Sequence, residues 1–497
     1  MTLLRYRGWA ILVAGFFPLA AQAEPTAADA QRLVKKYCVE CHGAETQEAG
    51  VNLTTLGDEL SVLKERKFWK RVLGQIEVEA MPPDDSPQLT SDERTALVGW
   101  LKTALDGEKT LASLPPDPGP TLVRRLNRGE YNRSIRDLLG VEVDVAAAVG
   151  LTDDVVVGAY DTLAEALHLT PALIEKYFDA ASFALNRTIP ENGESPSGYH
   201  FPKEEAAYKR IFAQRVDAKH PASEVIRSIA RDFARRAYRR PVSEAELDRF
   251  VALYEASQKQ GAKHHQSVKL VLRTVLVSPN FLLRVERDRP DVAEPYRVSD
   301  HELAVRLSYF LWSAPPDDEL AQAADTGKLA DPAELEKQVR RMLVDPKARA
   351  LTDEFAGQWL QLRKLPEARP SQEFFPTFTR SLRDDMAEEA ALFFDKLREE
   401  DGRIYDLLDG NYSYVNEALA KHYGLKDVDG AEFRKVTLPP EQGRGGLLGM
   451  GAMLATTSHV SRTSPTLRGK WILEVVLGAP PPPPPANAGT LDESQKE

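Results

Sequence analysis

The chain has 497 residues, of which 42% are hydrophobic and 28% are charged, proportions that are typical of soluble globular proteins and exclude disordered, collagen-like and multi-span membrane classes. A prior of about 150 residues per domain predicts several domains rather than a single core. The formal net charge of −11, with acidic and basic residues interleaved along the chain, argues against a nucleic-acid partner.

Residues 1–23 have the pattern of a secretory signal peptide. Arg5 and Arg7 precede the apolar run WAILVAGFFPLAA, and the small-residue motif AQA follows it. The run is too short for a membrane-spanning helix, which needs about 20 residues, so cleavage before Glu24 is favoured over a membrane anchor. We therefore expect an exported mature chain with no transmembrane span, periplasmic in a cell with two membranes.

The only two cysteines of the chain lie in the sequence YCVECHG, at residues 37–43. Cys38, Cys41 and His42 form the pattern C-x-x-C-H, in which both thiols can form thioethers with the vinyl groups of a haem and the imidazole can bind its iron. We expect the motif on the first turn of a helix, where positions 38 and 41 share one face. The pattern predicts one covalently attached haem c.

Two other interpretations of the cysteine pair remain open. A redox-active C-x-x-C disulfide normally lies at the start of a helix within a strand-helix-strand pattern, and no such pattern surrounds residues 38–41. A zinc site needs a fourth ligand and usually a second cysteine pair, and the sequence near the motif offers neither. Haem attachment is favoured because it accounts for the histidine as well as for the cysteine spacing.

Met81 is the predicted sixth ligand of the haem iron. Between Glu24 and the linker near residue 111 it is the only methionine, and His42 is the only histidine. Met81 opens the loop MPPDDSP, whose prolines fix the backbone without a helix or strand. The alternative is incidental packing of this side chain, with a five-coordinate or water-ligated iron. Thioether ligation raises the reduction potential relative to two histidines, which suits electron transfer.

The segments around the motif complete the pattern of a small cytochrome c domain, which a large multi-helical region follows. AADAQRLVKKY forms its first helix, FWKRVLGQIEVEA its second, and the third begins after the N-cap Ser91. Leu97, Trp100 and Leu101 form an apolar stripe on this third helix, and we interpret the stripe as core.

The remainder of the chain is predicted to be mostly helical, so that the fold class is all-α with minor β. Helix starts are indicated at Ser243, Ser299 and Asp331, each followed by a glutamate three residues on. An apolar stripe follows the second of these starts, and short strands are expected in two places. The stripe contains Leu303, Leu307, Phe310 and Leu311, and the strands are 154–158 and 433–438. The expected domains are 24–110 for the haem domain, 111–120 for a proline-rich linker, 121–185, 186–290 and 291–400 for helical domains, 401–479 for a C-terminal mixed helical domain, and 480–497 for a polyproline segment and tail.

Several segments resemble the planctomycete-type multidomain cytochrome c family, in which a haem domain precedes a series of domains of unknown function. The most specific blocks are LVRRLNRGEYNRSIRDLLG at residues 122–140 and RTSPTLRGKWILEVVLGAPPPPPP at residues 462–485. The resemblance covers nearly the whole mature chain and implies no established reaction.

The chain departs from that family pattern in two places. Members typically continue into a terminal domain with a second C-x-x-C-H, whereas this chain ends at LDESQKE, so we expect either a truncated product or a form with one haem. Residues 150–167 also differ from the segment usual in the family, and no role of that loop is carried over.

Outside the haem domain, one cluster has side chains suited to binding an anion or a sugar hydroxyl. His459 lies in TTSHVSRTSPTLRGKW, together with Arg462, Arg468 and Lys470. The alternative, which is slightly favoured, is that Arg468 and Lys470 pair with acidic residues of another domain.

Other polar residues of the helical region are interpreted as structural. The charge run of Arg124, Arg125 and Arg128 is typical of a solvated helix surface. The histidines placed in loops or helix ends, without catalytic partners, are His264, His265, His301 and His422.

Together these patterns predict an exported c-type cytochrome that transfers electrons through one covalent haem, with the helical region docking a redox partner or a substrate. No catalytic residue is predicted, and whether the helical region is an enzyme is left open. The alternatives are a haem-dependent oxidoreductase acting on a small molecule or carbohydrate, and a glycan-binding scaffold with an accessory haem domain.

Overall fold

The computed structural model describes residues 25–113, 119, 122–196, 201–292 and 294–481. The predicted signal peptide, much of the predicted linker and nearly all of the polyproline segment and tail lie outside these residues. The described residues fall into two compact units, divided at residue 117. Most are helical, and strands occur in two small sheets, so the predicted all-α class with minor β is confirmed. The finer boundaries inside the second unit remain predictions.

The amino-terminal unit is helical and packs around a small apolar core. Trp69, Trp100 and Leu101 are buried in this core, as is Leu97, so the predicted apolar stripe on the third main helix is confirmed. The helices are α1 (Ala27–Tyr37), α2 (Glu59–Lys64), α3 (Arg66–Glu77), α4 (Ser91–Asp106) and α5 (Glu108–Ser113).

The start of α4 differs from the prediction by one residue. Thr90, and not Ser91, is the N-cap: its hydroxyl accepts a hydrogen bond from the Glu93 backbone N–H at 3.2 Å, and the Glu93 carboxylate accepts from the Thr90 N–H at 3.0 Å. This capping box requires a glutamate three residues after the cap, which Thr90 has and Ser91 lacks. Glu93 also accepts from the Tyr37 hydroxyl at 2.7 Å, which ties α4 to the end of α1.

The second unit contains most of the helices of the chain. Its α-helices are α6 (Arg128–Leu139), α7 (Val145–Ala148), α8 (Pro171–Thr188), α9 (Pro202–Ile211), α10 (Ala222–Tyr238), α11 (Glu244–Lys259), α12 (His264–Leu276), α13 (Pro279–Leu282), α14 (Asp300–Leu311), α15 (Asp318–Asp325), α16 (Pro332–Val344), α17 (Arg349–Leu351), α18 (Gly357–Trp359), α19 (Arg380–Glu399), α20 (Asp406–Asp409), α21 (Glu417–Tyr423), α22 (Gly451–Thr456) and α23 (Pro465–Trp471). No helix among the described residues is both long enough and apolar enough to cross a membrane.

The three predicted helix starts of this unit are confirmed, because Ser243, Ser299 and Asp331 are the N-caps of α11, α14 and α16. The predicted stripe on α14 is partly wrong. Leu311 is buried, whereas Phe310 is 64% exposed. Leu303, Leu307 and Leu311 follow one another at intervals of four residues and pack on one face, and Phe310 lies beside that face.

Two antiparallel sheets of two strands complete the second unit. They consist of β1 (Arg124–Arg125) with β2 (Leu283–Arg284), and β3 (Tyr412–Val415) with β4 (Arg434–Thr437). The strand expected at 433–438 is confirmed by β4. The strand expected at 154–158 is wrong, because this segment forms only an isolated bridge from Val157 to Tyr160 and its valines are exposed without a partner strand.

A π-helical turn joins α17 to α18. It comprises Thr352–Ala356, and it places the Glu354 carboxylate between the guanidinium groups of Arg133 and Arg363. Such turns insert one residue into a helix and change the direction in which the neighbouring side chains point. Here the turn positions the Glu354 carboxylate so that it accepts hydrogen bonds from both Arg133 and Arg363.

Candidate haem site

The C-x-x-C-H motif lies at the carboxyl end of α1, so its expected placement on the first turn of a helix is wrong. The Cys38 N–H donates to the Val34 carbonyl at 2.9 Å and closes the last turn of α1. The His42 N–H then donates to the Cys38 carbonyl at 2.9 Å, so that helix-like bonding extends across the motif. The three residues that would bind haem, Cys38, Cys41 and His42, thus lie within one turn.

The loop after the motif is closed by backbone hydrogen bonds. The Glu48 N–H donates to the Cys41 carbonyl at 3.0 Å, and the Leu53 N–H donates to the His42 carbonyl at 2.8 Å. At Gly43 a Cβ atom would lie 2.5 Å from the carbonyl oxygen of Val39, which no real Cβ tolerates. Because the backbone at residue 43 passes so close to the Val39 carbonyl, only glycine fits directly after His42. Sequence reasoning did not identify this requirement, although Gly43 is visible beside the motif.

The imidazole of His42 is oriented by a backbone carbonyl. Its Nδ1 lies 3.1 Å from the carbonyl oxygen of Glu48. Because a carbonyl oxygen only accepts hydrogen bonds, this contact requires a proton on Nδ1 and leaves the Nε2 lone pair available. A hydrogen bond from the second ring nitrogen to a carbonyl is the usual arrangement of histidines that bind metals.

The two thiols are free and partly buried. Burial raises the pKa of the Cys38 thiol to about 11. A redox-active C-x-x-C pair normally has a thiolate with a lowered pKa, so this environment is unlike that of a catalytic disulfide. Within the described residues, no group of three or more histidine, cysteine or acidic side chains is arranged to hold a metal ion.

Met81 lies in the loop that follows α3, and its side chain is 38% exposed. The loop is held by Gln88, whose amide nitrogen donates to the carbonyls of Pro82, Pro83 and Ser86 at 3.2, 2.7 and 3.1 Å. The thioether is therefore carried by a fixed loop and is accessible, and its ligation to iron stays a prediction.

The core of this unit also contains a polar atom without a partner. Trp69 is completely buried, and its indole N–H has no hydrogen-bond partner within the part of the chain that the structure describes. A buried donor without an acceptor costs about 1–3 kcal/mol. The propionates of a porphyrin are acceptors of the kind this donor lacks. The thiol pair and the oriented imidazole fit a haem, and the Trp69 indole is an unpaired donor in the core of the same unit. Sequence reasoning did not identify Trp69, because nothing in its local pattern distinguishes it from an ordinary core residue.

The arginines at the start of the second unit do not form a solvated surface. Arg124 and Arg125 lie on β1 and are largely buried, paired with Glu130 and Asp154 respectively. The interpretation was wrong because this segment is a strand that enters the core rather than an exposed helix. Arg128 begins α6 and pairs with Asp144 at 2.9 Å.

Three of the four histidines interpreted as structural have side-chain contacts at hydrogen-bond distance. His264 Nδ1 lies 2.7 Å from the Tyr254 hydroxyl, and burial lowers the pKa of this histidine. His265 Nε2 lies 3.0 Å from the Glu191 carbonyl oxygen, and both histidines belong to the first turn of α12 rather than to a turn before it. His301 Nε2 lies 2.9 Å from an Asp325 carboxylate oxygen. His422 lies in the last turn of α21, where burial lowers its pKa.

His459, Arg462 and Lys470 of this cluster are exposed, whereas Arg468 is half-buried. The His459 N–H donates to the Arg462 carbonyl at 2.9 Å, and Lys470 pairs with Glu474 of its own segment at 3.5 Å. The expected pairing of Lys470 with another domain is therefore wrong. The Nε atom of Arg468 is buried without a hydrogen-bond partner. Binding of an anion or sugar at this cluster stays a prediction.

Five known families match the chain one after another. Residues 25–101 match the family described as cytochrome c oxidase, cbb3-type, subunit III. The four that follow are each described as a protein of unknown function: DUF1587 over residues 124–190, DUF1595 over 225–286, DUF1592 over 298–425 and DUF1588 over 444–497. Neither a curated protein nor a solved structure matches the chain.

The family match over residues 25–101 supports a haem-binding electron-transfer protein, in which a cytochrome c domain precedes a larger helical region. More narrowly, the chain has the planctomycete-type multidomain cytochrome architecture, as its sequence blocks predicted.

Proposed function

We propose that the protein is an exported electron carrier with one covalently bound haem c. In this proposal Cys38 and Cys41 would attach the haem through two thioether bonds, and His42 and Met81 would bind its iron. The observation that carries it is the contact between His42 Nδ1 and the Glu48 carbonyl, because it presents the other ring nitrogen as a ligand directly after the two thiols.

Bound haem supplies reversible one-electron transfer at its iron. The residues of this chain contribute its position and surroundings. The Glu48 carbonyl sets the tautomer of His42, and the hydrogen bonds of Gln88 hold the loop that carries Met81. Buried side chains of α1, α3 and α4 form an apolar core beside the motif, which suits a cofactor that exchanges electrons without admitting water.

The test is a pyridine haemochrome spectrum and a redox titration of full-length protein, made in cells with an active c-type maturation system. We expect one haem per chain that stays with the protein in acid acetone, and a reversible ferric–ferrous couple. Colourless protein, or haem released into acid acetone, would contradict covalent attachment.

The role of Met81 has a separate test. Met81→Ala should open the sixth position and convert a low-spin ferric spectrum into a high-spin one that binds cyanide, with a changed reduction potential. Val78→Ala removes another exposed apolar side chain of the same region and should leave the spectrum unchanged. A spectrum that is insensitive to Met81→Ala would exclude methionine ligation.

Export is proposed from the signal-peptide pattern of residues 1–23. Amino-terminal sequencing of protein from a periplasmic fraction should give a mature chain that begins at Glu24. Recovery of the intact amino terminus in the cytoplasm would contradict this.

We also propose that the helical region docks the redox partner, since an electron carrier needs one and this region forms most of the chain. If it does, the rate of haem reduction by periplasmic redox proteins should saturate as their concentration rises. A rate that stays linear over the whole range would contradict docking.

A further inference from the structure

Strands β1 and β2 pair with each other in a register that places like charges opposite each other. Arg124 pairs with Arg284 in the antiparallel register. Like charges directly opposite each other destabilise a sheet. A third guanidinium is close, because Arg239 and Arg284 both lie against the ring of Tyr309, at 5.6 and 4.9 Å from its centroid. Three arginine head groups therefore meet at one point of the second unit.

One carboxylate faces these three charges. Both Nη atoms of Arg124 donate to Glu130, at 2.5 and 2.7 Å, whereas the nearest approach of Arg284 to it is 3.5 Å. The next carboxylate, that of Asp161, is already bonded by Arg363 at 2.7 Å. A buried charge without a counter-charge costs free energy. The cluster thus lacks negative charge.

Arg239 is held by the protein through both of its Nη atoms and adds positive charge to the cluster. Its Nη2 donates to the carbonyls of Asn280, Phe281 and Leu283, and its Nη1 donates to the Tyr309 hydroxyl at 2.9 Å. Its backbone φ is 60°, the left-handed conformation with which α10 ends at this residue.

Arg284 is different, because its donors are unused. Its side chain is 19% exposed, and among the described residues its guanidinium makes no hydrogen bond, although it carries five N–H groups. Burial, together with the charges of Arg124 and Arg239, lowers the pKa of Arg284 even though Glu130 opposes the shift. Among the described residues, the one ion pair of this mostly buried guanidinium is its 3.5 Å contact with Glu130. Arg124 already makes two hydrogen bonds to that carboxylate, so Arg284 is short of negative charge.

A cleft of about 810 Å³ opens over this guanidinium. We call it the arginine cleft, and its lining includes Arg124, Arg239, Arg240, Arg284, Arg287 and Arg289. The size is within the range of pockets for small organic molecules, about 300–1,000 Å³.

The carboxylates that line the same cleft already have partners. Glu302 accepts from the backbone N–H groups of Ser299 and Arg287, and Glu286 is bonded by Arg306 at 2.6 Å. Asp288 accepts from the Tyr296 hydroxyl at 3.1 Å. Among the described residues, none of these three acids forms an ion pair with Arg284, whose carboxylate contact is with Glu130.

We propose that the arginine cleft binds a small organic anion whose carboxylate, sulfate or phosphate group sits on the guanidinium of Arg284. The planar fork of an arginine bonds the two oxygens of such a group at once. The remaining volume of the cleft holds the body of the ligand, and Arg287, whose side chain is exposed at the rim, adds to the attraction. This site is independent of the haem motif.

The test is titration calorimetry on full-length protein with sulfate, phosphate and malonate as separate probes, at constant ionic strength kept with sodium chloride. Arg284→Gln should weaken binding by about tenfold or more, since a charge-assisted hydrogen bond contributes about 1.5–3 kcal/mol. Arg340→Ala, on an exposed arginine that does not line the cleft, should bind as the wild type does. Binding of malonate alone indicates a carboxylate ligand, and binding of sulfate or phosphate alone indicates a tetrahedral oxyanion.

The melting temperature without any anion provides a second measurement. Because Arg284 repels its neighbours, Arg284→Gln should unfold at the same temperature as the wild type or at a higher one. Arg287→Ala, which changes only an exposed rim side chain, should weaken binding by a few fold. The proposal is overturned if no probe binds the wild type, if all variants bind equally, or if Arg284→Gln unfolds early while Arg287→Ala leaves the affinity unchanged.

Discussion

The two units of the molecule build their polar sites in opposite ways. In the amino-terminal unit, the thiols, the imidazole and the carbonyl that orients it all lie between Cys38 and Glu48, and neighbouring residues hold one another in place. In the second unit, the arginine cleft depends on β1 meeting β2, whose arginines are far apart in the sequence. A local site of this kind can be damaged by one nearby change, whereas a dispersed site depends on the packing of a whole unit.

The largest expected effect is the loss of covalent haem, which concerns the haem site and not the arginine cleft. Replacement of both thiols, Cys38→Ala with Cys41→Ala, should abolish covalent haem, because no other cysteine exists in the chain. Haem staining of a denaturing gel measures this directly. Arg284→Gln serves as the control and should retain full haem content. Haem loss in the control would mean that the local site depends on the second unit.

The buried carboxylate of Glu389 should make the second unit less stable as pH rises. Burial raises the pKa of Glu389 to about 7, although hydrogen bonds from Ser413 and Tyr423 and the charge of Arg444 oppose the shift. The folded state therefore holds this proton more tightly than the unfolded state does. The stabilisation is complete below the unfolded pKa of about 4.5 and is lost as pH rises through about 7, a change of roughly 3 kcal/mol. Denaturant unfolding of the wild type and of Glu389→Gln at pH 4.5, 6 and 7.5 measures it, and equal pH slopes in the two proteins would contradict the assignment.

Gly43→Ala should test how tightly the local site is closed. The new Cβ would lie against the Val39 carbonyl oxygen, and relief of such overpacking costs about 1–3 kcal/mol. We expect a lower melting temperature of the amino-terminal unit and less haem incorporated per chain. Gly99→Ala is the matched control, since its Cβ meets open space in α4 and alanine favours a helix. A normal haem content in Gly43→Ala would show that the loop after His42 can relax.

The smallest expected effect is a pH dependence of opposite sign in the amino-terminal unit. The pKa of Glu93 is lowered to about 2, first by the Thr90 N–H and then by the Tyr37 hydroxyl and Lys36. The stabilisation from this carboxylate is present above the unfolded pKa of about 4.5 and is lost as pH falls toward 2. Glu93→Gln keeps an acceptor for the cap but no charge, so it should unfold with a flatter acid dependence. Circular dichroism between pH 2 and 5 would show this, and an unchanged acid midpoint would contradict it.

The sequence predicted what depends on neighbouring residues. The helical class, the starts of α11, α14 and α16 and the haem motif all follow from signals within a few positions. The prediction of a strand at 154–158 was wrong, because a strand needs a partner strand, which the local sequence pattern does not reveal. The prediction that Phe310 belongs to the apolar stripe of α14 was wrong for a related reason. The packing of α14 decides which of its apolar side chains are covered, and Phe310 is exposed.

Several features of the two candidate sites could not be found from the sequence. Trp69 is notable only because its indole nitrogen has no partner, which requires the positions of all surrounding atoms. The meeting of Arg124 with Arg284 requires the register of β1 and β2. Gly43 is the exception, because a glycine beside a motif is visible in the sequence. The structure then shows why it is required, since a Cβ at residue 43 would clash with the Val39 carbonyl oxygen.

The π-helical turn at Thr352–Ala356 bears on how natural variants of this chain can differ in length. An α-helix rotates by about 100° per residue, so loss of one residue there would restore regular winding and swing Glu354 out of line with Arg133 and Arg363. A single-codon deletion at this turn should therefore be far more harmful than the same deletion in an exposed loop. Orthologues that tolerate it are expected to have lost both arginines as well.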